Sequence, residues 1–192
     1  NYTIMNMKGY FVIHPTVGVI KTTGQPFDRE KQEYYSLLVK AQDVHDPENQ
    51  GLTVVNIVVL DVNDNSPVFV NLPLHALVTT NSERGTMITK VHAVDQDSGE
   101  SGFVRYELVR GSGELFGISE TTGEVHLKQQ MTQPGVTHSL TVAAVDGGRP
   151  PYSSHQQLNI KVVAAEGPIF TEMIFKFTVA EDAAYGTNIG HL

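Results

Sequence analysis

Asp61-Val62-Asn63-Asp64-Asn65-Ser66-Pro67-Val68-Phe69 crowds acidic and amide side chains into five residues and closes on a proline. Hard oxygens at that density suit Ca2+, which takes about six to eight oxygen ligands at roughly 2.3–2.6 Å. The competing reading is an Asn/Asp-rich turn that hydrogen-bonds its own backbone. What lies on either side of the nonapeptide decides between them.

The flanking stretches resemble each other. Phe11-Val12-Ile13 followed by Thr16-Val17-Gly18 returns 105 positions later as Phe116-Gly117-Ile118 followed by Thr121-Thr122-Gly123. Leu37, Val39, Ala41 and Asp43 return 103 positions later as Leu140, Val142, Ala144 and Asp146. Pro67 and Phe69 return 101 positions later as Pro168 and Phe170. Similarity at a nearly fixed period marks a repeat architecture.

Within each repeat the apolar period is two. Tyr35, Leu37, Val39 and Ala41 alternate with more polar neighbours, as do Leu140, Val142 and Ala144. Leu52–Leu60 is apolar and β-branched enough to predict a well-buried strand, and Leu72–Leu77 reads as the first strand of the second repeat. Gly111-Ser112-Gly113 and Asp146-Gly147-Gly148 punctuate such runs, and no segment keeps a helical stripe. Repeats of roughly 100 residues built from short strands predict an all-β chain of tandem Greek-key β-sandwiches. Residues 1–65 match the later part of a repeat, 66–165 a complete one, and 166–192 the opening strands of a third.

The chain has 192 residues, 13 basic and 21 acidic, for a net charge of -8. That balance argues against a nucleic-acid partner, whose binders present a basic face. With no cysteine, neither a disulfide nor a thiolate site can hold the fold together. No apolar run is long enough to span a bilayer, and the first residues do not form a signal peptide. Asn1-Tyr2-Thr3 is a glycosylation sequon, which fits secretion.

Asp28-Arg29-Glu30 precedes the Tyr35 strand, Asp95-Gln96-Asp97-Ser98-Gly99 follows Val94, and Asp146 ends the Leu140 strand. In that order, DRE, DVNDNSPVF, AVDQDSG and AxDGG resemble the extracellular repeat of the cadherin superfamily across essentially the whole chain. The resemblance implies seven-stranded sandwiches joined end to end, with Ca2+ at each junction. Asn71-Leu72-Pro73 and a degenerate second linker look most similar to the Fat group of giant cadherins, with protocadherin-15-like or Dachsous-like chains as alternatives.

At the first junction the resemblance implies a ligand set position by position. Asp28 and Glu30 come from the lower end of the first repeat. The linker gives the side chains of Asp61, Asp64 and Asn65 and the carbonyls of Val62 and Asn63. Asp95, Asp97 and Asp146, with a carbonyl near Ser101, come from the second repeat. Seven carboxylates converging on one joint repel each other until cations bridge them.

The second junction departs from the pattern. Val162-Val163-Ala164-Ala165-Glu166-Gly167-Pro168-Ile169-Phe170 keeps the proline and phenylalanine but only one acid. The DRE position falls in Lys128–His138, which holds no Asp or Glu, and the family's early glutamate aligns with Thr80. In the third repeat Glu181 takes that place before Gly186. Three losses at one site predict a calcium-free, flexible or bent junction.

No enzyme motif appears. Eight scattered histidines lack paired spacing, Glu107 and Glu114 flank only a Gly-Ser turn, and nucleophile-elbow and phosphate-loop patterns are absent. Asp95-Gln96-Asp97 starts like an EF-hand, but its twelfth position is Tyr106 and no helices flank it. The function the resemblance implies is calcium-dependent cell-cell adhesion or ectodomain spacing, in the ectodomain of a single-pass plasma-membrane protein. The alternative is a recognition module for one partner cadherin. Expected partners are other cadherin ectodomains, with no small-molecule substrate and no direct membrane contact from this stretch. Without tryptophan, pairing by tryptophan exchange is ruled out, and an internal place in a long array is expected. A last expectation is that residues 168–192 of a neighbouring molecule donate the opening strands that residues 1–65 lack.

Overall fold

In the computed structural model, residues 1–7, 9–111, 113–165, 176–184 and 187–190 are described. They contain fourteen strands and no α-helix. The chain divides into two compact units, Asn1–Val62 and Asn63–Leu192. The division falls inside the linker motif, three residues before the end expected for the first repeat.

The first unit holds β1 (Tyr2–Ile4), β2 (Phe11–Ile13), β3 (Ile20–Thr22), β4 (Tyr34–Gln42) and β5 (Gln50–Val58). One sheet runs β1-β4-β5 and the other pairs β2 with β3, all antiparallel. The alternation read in Tyr35, Leu37 and Val39 turns those three inward, where they meet Ile4 and Phe11. Tyr10, Phe11, Phe27 and Tyr35 cluster there with ring centroids 5.3–5.7 Å apart. Their mostly tilted or edge-on contacts suit ring quadrupoles.

The second unit continues with β6 (Val68–Phe69), β7 (Leu74–Thr79), β8 (Met87–Lys90), β9 (Ala93–Val94), β10 (Arg105–Arg110), β11 (Phe116–Ile118), β12 (Glu124–Leu127), β13 (Thr137–Val145) and β14 (Ser153–Val163). A four-stranded sheet, β10-β13-β14-β7, and a three-stranded one, β11-β12-β8, make the sandwich, with β6 and β9 paired beside them. β7 joins the edge of β14 in parallel, in register from Leu74 with Leu158 to Thr79 with Val163. The core between the sheets takes Phe116, Leu127, Leu140, Val142, Leu158, Ile160 and Val162, all essentially inaccessible.

β1 to β5 of the first unit correspond in order and pairing to β10 to β14 of the second. A shared mark fixes the correspondence: Ser36 Oγ donates to Asn56 Oδ1 at 2.8 Å, and Ser139 Oγ to Asn159 Oδ1 at 2.7 Å.

One sequence expectation is corrected. Leu52–Leu60 was expected to be well buried, yet in β5 Leu52, Val54 and Val58 are exposed, as is Leu60 beyond it. Val55, Ile57 and Val59 turn to the core, and among the described residues nothing covers the other face. An apolar run gives no sign of which of its two faces is covered. Most residues expected to open a third repeat, 166–175, 185, 186, 191 and 192, lie outside the described residues, so strand donation by 168–192 does too.

Candidate metal centre

The candidate ligands divide between the units, and in the second a strand pairing fixes the cluster of oxygens. In the second unit β6 and β9 pair Val68 with Val94 and Phe69 with Ala93. That ladder carries the linker alongside the residues that follow Val94. The Asn65 N–H donates to Asp97 Oδ2 at 3.2 Å, and Asn65 Nδ2 to Asp97 Oδ1 at 2.6 Å and to Asp64 Oδ1 at 2.9 Å. The buried Tyr106 hydroxyl holds the end of β9 by accepting from the Ala93 N–H at 2.9 Å.

Asp146 stands at the end of β13. Its carboxylate accepts from the Gly148 N–H at 2.9 Å and from the Tyr152 N–H at 3.0 Å. Asp97 and Asp146 are 7% and 4% exposed, and no other charged side chain among the described residues is buried. Asp95 is half-buried; its Oδ1 accepts from the Asp97 N–H at 2.9 Å, while its Oδ2 is inaccessible and has no partner. Burial pushes Asp95 above the ordinary carboxylate value; the Asp97 N–H bond opposes this, and the charges of Asp97 and Asp146 add to it. Among the described residues no Lys or Arg forms a salt bridge with any of these three carboxylates.

A second oxygen is left open in the same place. Asn63 Nδ2 donates to the Pro150 carbonyl at 2.8 Å, which leaves Asn63 Oδ1 inaccessible and unpartnered. The glycines of the AxDGG motif make room for this arrangement. A Cβ on Gly148 would strike the Asn63 amide, and one on Gly147 the Glu100 carbonyl. Gly102 similarly admits the Asp97 carbonyl, and Ser101 lies half-buried in the turn between.

In the first unit Arg29 stands between two candidate ligands. Its guanidinium contacts Glu30, and Arg29 Nε donates to Asp61 Oδ1 at 2.5 Å. Asp28 takes Lys31 Nζ at 2.6 Å and the Lys31 N–H at 3.0 Å, and the side-chain bond above all holds its carboxyl below the usual range. Val62, expected to give its carbonyl, is exposed.

The sequence reading gave Asn63 a carbonyl role and Asn65 a side-chain role. In the structure Asn65 Nδ2 donates to Asp97 and Asp64, and Asn63 offers an unpartnered side-chain oxygen in addition to its carbonyl. Arg29 and the two glycines had no role in that reading. An arginine flanked by acids, and paired glycines directly after a candidate ligand, are the signals that could have found them.

The donor set suits a hard cation. Buried carboxylates are tolerated when paired with positive charge or bound to metal, and here three stand together without a basic partner. Two inaccessible oxygens lacking any hydrogen bond add to that need.

The opposite end of the second unit is built differently. The Thr80 N–H donates to the Val163 carbonyl at 3.0 Å, and Thr80 Oγ1 accepts from the Ala165 N–H at 3.2 Å. Gln130 Nε2 donates to the Thr80 carbonyl at 3.1 Å. Neutral hydrogen bonds occupy the place where acids cluster at the other end. Glu166, Gly167, Pro168 and Phe170 of the second linker lie outside the described residues.

The Cadherin domain family model matches residues 1–60 and 74–163. The Fat-like cadherin-related tumor suppressor homolog of Drosophila melanogaster is 42% identical over 186 residues, covering 94% of this chain. Protocadherin Fat 1 of Homo sapiens is 38% identical over 193 residues, covering all of it. The chain spans 4% of the length of each of these relatives. Among solved structures, mouse Cadherin-23 EC22-24 superposes with a TM-score of 0.74 at 32% identity, over 85% of this chain and 52% of that one.

Proposed function

The chain belongs to the cadherin family, and we propose that it is a calcium-stiffened segment of a cell-adhesion ectodomain. The observation that carries this reading is the pair of buried carboxylates, Asp97 and Asp146, beside half-buried Asp95, with no basic partner. Asp95 Oδ2 and Asn63 Oδ1 supply unused donors. In this reading Asp95, Asp97, Asp146 and Asn63 hold Ca2+ on the second unit, and Asn65 orients Asp97. Asp28, Glu30 and Asp61 would serve from the first unit, where Ca2+ must displace Arg29 from Glu30 and Asp61. Asp64 and the carbonyls of Val62 and Asn63 complete the set from the linker.

Only Val62 separates Asp61 from Asn63. Metal held by residues on both sides of so short a connector would restrict the joint, and binding to the folded form would stabilise it. The staple that absent disulfides cannot provide would then be ionic. Isothermal titration of the chain with Ca2+ tests the reading. Binding of at least one ion, lost in Asp97→Asn and in Asp64→Asn, is expected; no heat on adding Ca2+ overturns it.

At the other end of the second unit, Thr80, Gln130 and Ala165 support a junction that works without calcium. With both neighbouring repeats completed, small-angle scattering should show the first junction straightening on adding Ca2+ and the second unchanged. Equal straightening at both refutes the calcium-free assignment. The same family reading puts the segment outside the cell, in the ectodomain of a plasma-membrane protein, with other cadherin ectodomains as partners.

A further inference from the structure

The outer face of the β1-β4-β5 sheet is apolar where its counterpart in the second unit is polar. Along β5, Leu52, Val54 and Val58 are 64%, 58% and 49% exposed. Each sits beside an outward residue of β4: Leu52 by Lys40, Val54 by Leu38, and Val58 by Tyr34, itself 63% exposed. Met5 is exposed as well, and its N–H bonds the Leu38 carbonyl at 2.8 Å.

The second unit is an internal control. Aligned on the shared Ser-Asn pairs, Leu52, Val54 and Val58 correspond to His155, Gln157 and Lys161 of β14, and Leu38 and Tyr34 to Thr141 and Thr137 of β13. The same fold therefore accepts polar residues at every one of these positions, and packing within the unit does not require apolar ones. Nor does strand pairing explain the face. In the second unit β7 adds to the edge of β14 within the plane of the sheet, so a strand added beside β5 would leave these side chains uncovered.

We propose that this face is a dimer interface between two copies of the chain, packed sheet to sheet. Its exposed residues offer on the order of 600 Å² of surface, backbone and the Tyr34 hydroxyl included, within the size range of the largest patches on monomers. A standard interface buries roughly 800 Å² per partner, so one copy of the face against another comes close to what is needed.

The charge pattern favours self-pairing. Lys40 is the one charged residue among the outward-facing positions of β4 and β5. A two-fold axis running across the strands at the Leu38–Val54 pair sets each Lys40 against Ser36 and Asn56 of the other copy. No like charges meet, and the Asn56 carbonyl oxygen is an acceptor. Leu38 and Val54 of the two copies meet at the centre, and at the rim Tyr34 and Val58 of one copy face Gln42 and Gln50 of the other. Aligned sheets pack this way at about 10 Å.

The proposal is independent of the calcium reading, because none of these residues is a candidate ligand. Sedimentation equilibrium on the unglycosylated chain, over a range of concentrations in calcium buffer, tests it. A dimer with a dissociation constant in the micromolar range or tighter is expected. The double substitution Val54→Gln with Val58→Lys copies the second unit's own residues and should weaken association roughly tenfold or more. Its circular dichroism should match the parent's, and so should its melting curve at dilutions where the parent is monomeric, since the same fold carries those residues. A chain still monomeric at about 100 µM overturns the proposal. So does a dimer that survives the double substitution, because association through the open edge of β5 would not use these side chains.

Discussion

Asn63 and Asn65 are the same residue type two positions apart, and the structure gives them opposite work. Asn65 donates to the buried Asp97, so Asn65→Ala should lower the chain's stability in chelator by about 1–3 kcal/mol, the cost of leaving a buried acceptor unsatisfied. Asn63 gives up only its bond to Pro150, so Asn63→Ala should leave the chelated protein nearly unchanged while weakening Ca2+ binding. Urea unfolding in chelator beside calcium titration separates them; equal effects of both variants in chelator would refute the division. Tyr35 supports a pH prediction. Burial, with Tyr10 and Asp28 nearby, raises its phenol above the ordinary value of 10.0. The folded form then keeps its proton where the unfolded form loses it, so stability is complete below pH 10.0 and declines as pH rises through the raised value. In Tyr35→Phe that alkaline decline should shrink, as followed by circular dichroism across the alkaline range.

Corresponding strands can hold corresponding residues at different depth. Ile160 of β14 is fully buried, flanked by β13 and β7, whereas Ile57 of β5 is only partly covered and paired on one side alone. Ile160→Ala should therefore cost about 2–5 kcal/mol, and Ile57→Ala distinctly less, by hydrogen exchange of β13 and of β4 respectively. Equal losses would contradict the difference in burial. Much of this was legible in the sequence: the period-two runs placed Leu37, Val39, Leu140 and Val142 in the core, and the two compact units divide inside the linker motif. The outward face of β5 was not. Leu52, Val54 and Val58 satisfy the same apolar criterion as Val55 and Ile57, and only the arrangement of neighbouring strands tells the covered side from the open one. The hydrogen-bond partners of Asn63 and Asn65 were hidden for a related reason, since residue type names a donor or acceptor but not the partner that claims it.

For the whole molecule the calcium reading makes a thermodynamic prediction. A ligand that binds only the folded form, at about 100 times its dissociation constant, adds about 2.7 kcal/mol of stability. Calcium at that excess should raise the urea midpoint, and chelator should return it; an unchanged midpoint would contradict the site. The parallel pairing of β7 with β14 has a consequence of another kind. The second unit opens with the linker and the short β6–β9 pair before β7, β14 is its last strand among the described residues, and β7 and β14 lie side by side over six residue pairs, from Leu74–Leu158 to Thr79–Val163. A pull on the two ends drags the strands past each other, so all the bonds between them resist together instead of opening one at a time. Tension along the chain thus meets the second unit in its least yielding direction, and single-molecule extension should record one abrupt rupture there in place of gradual lengthening.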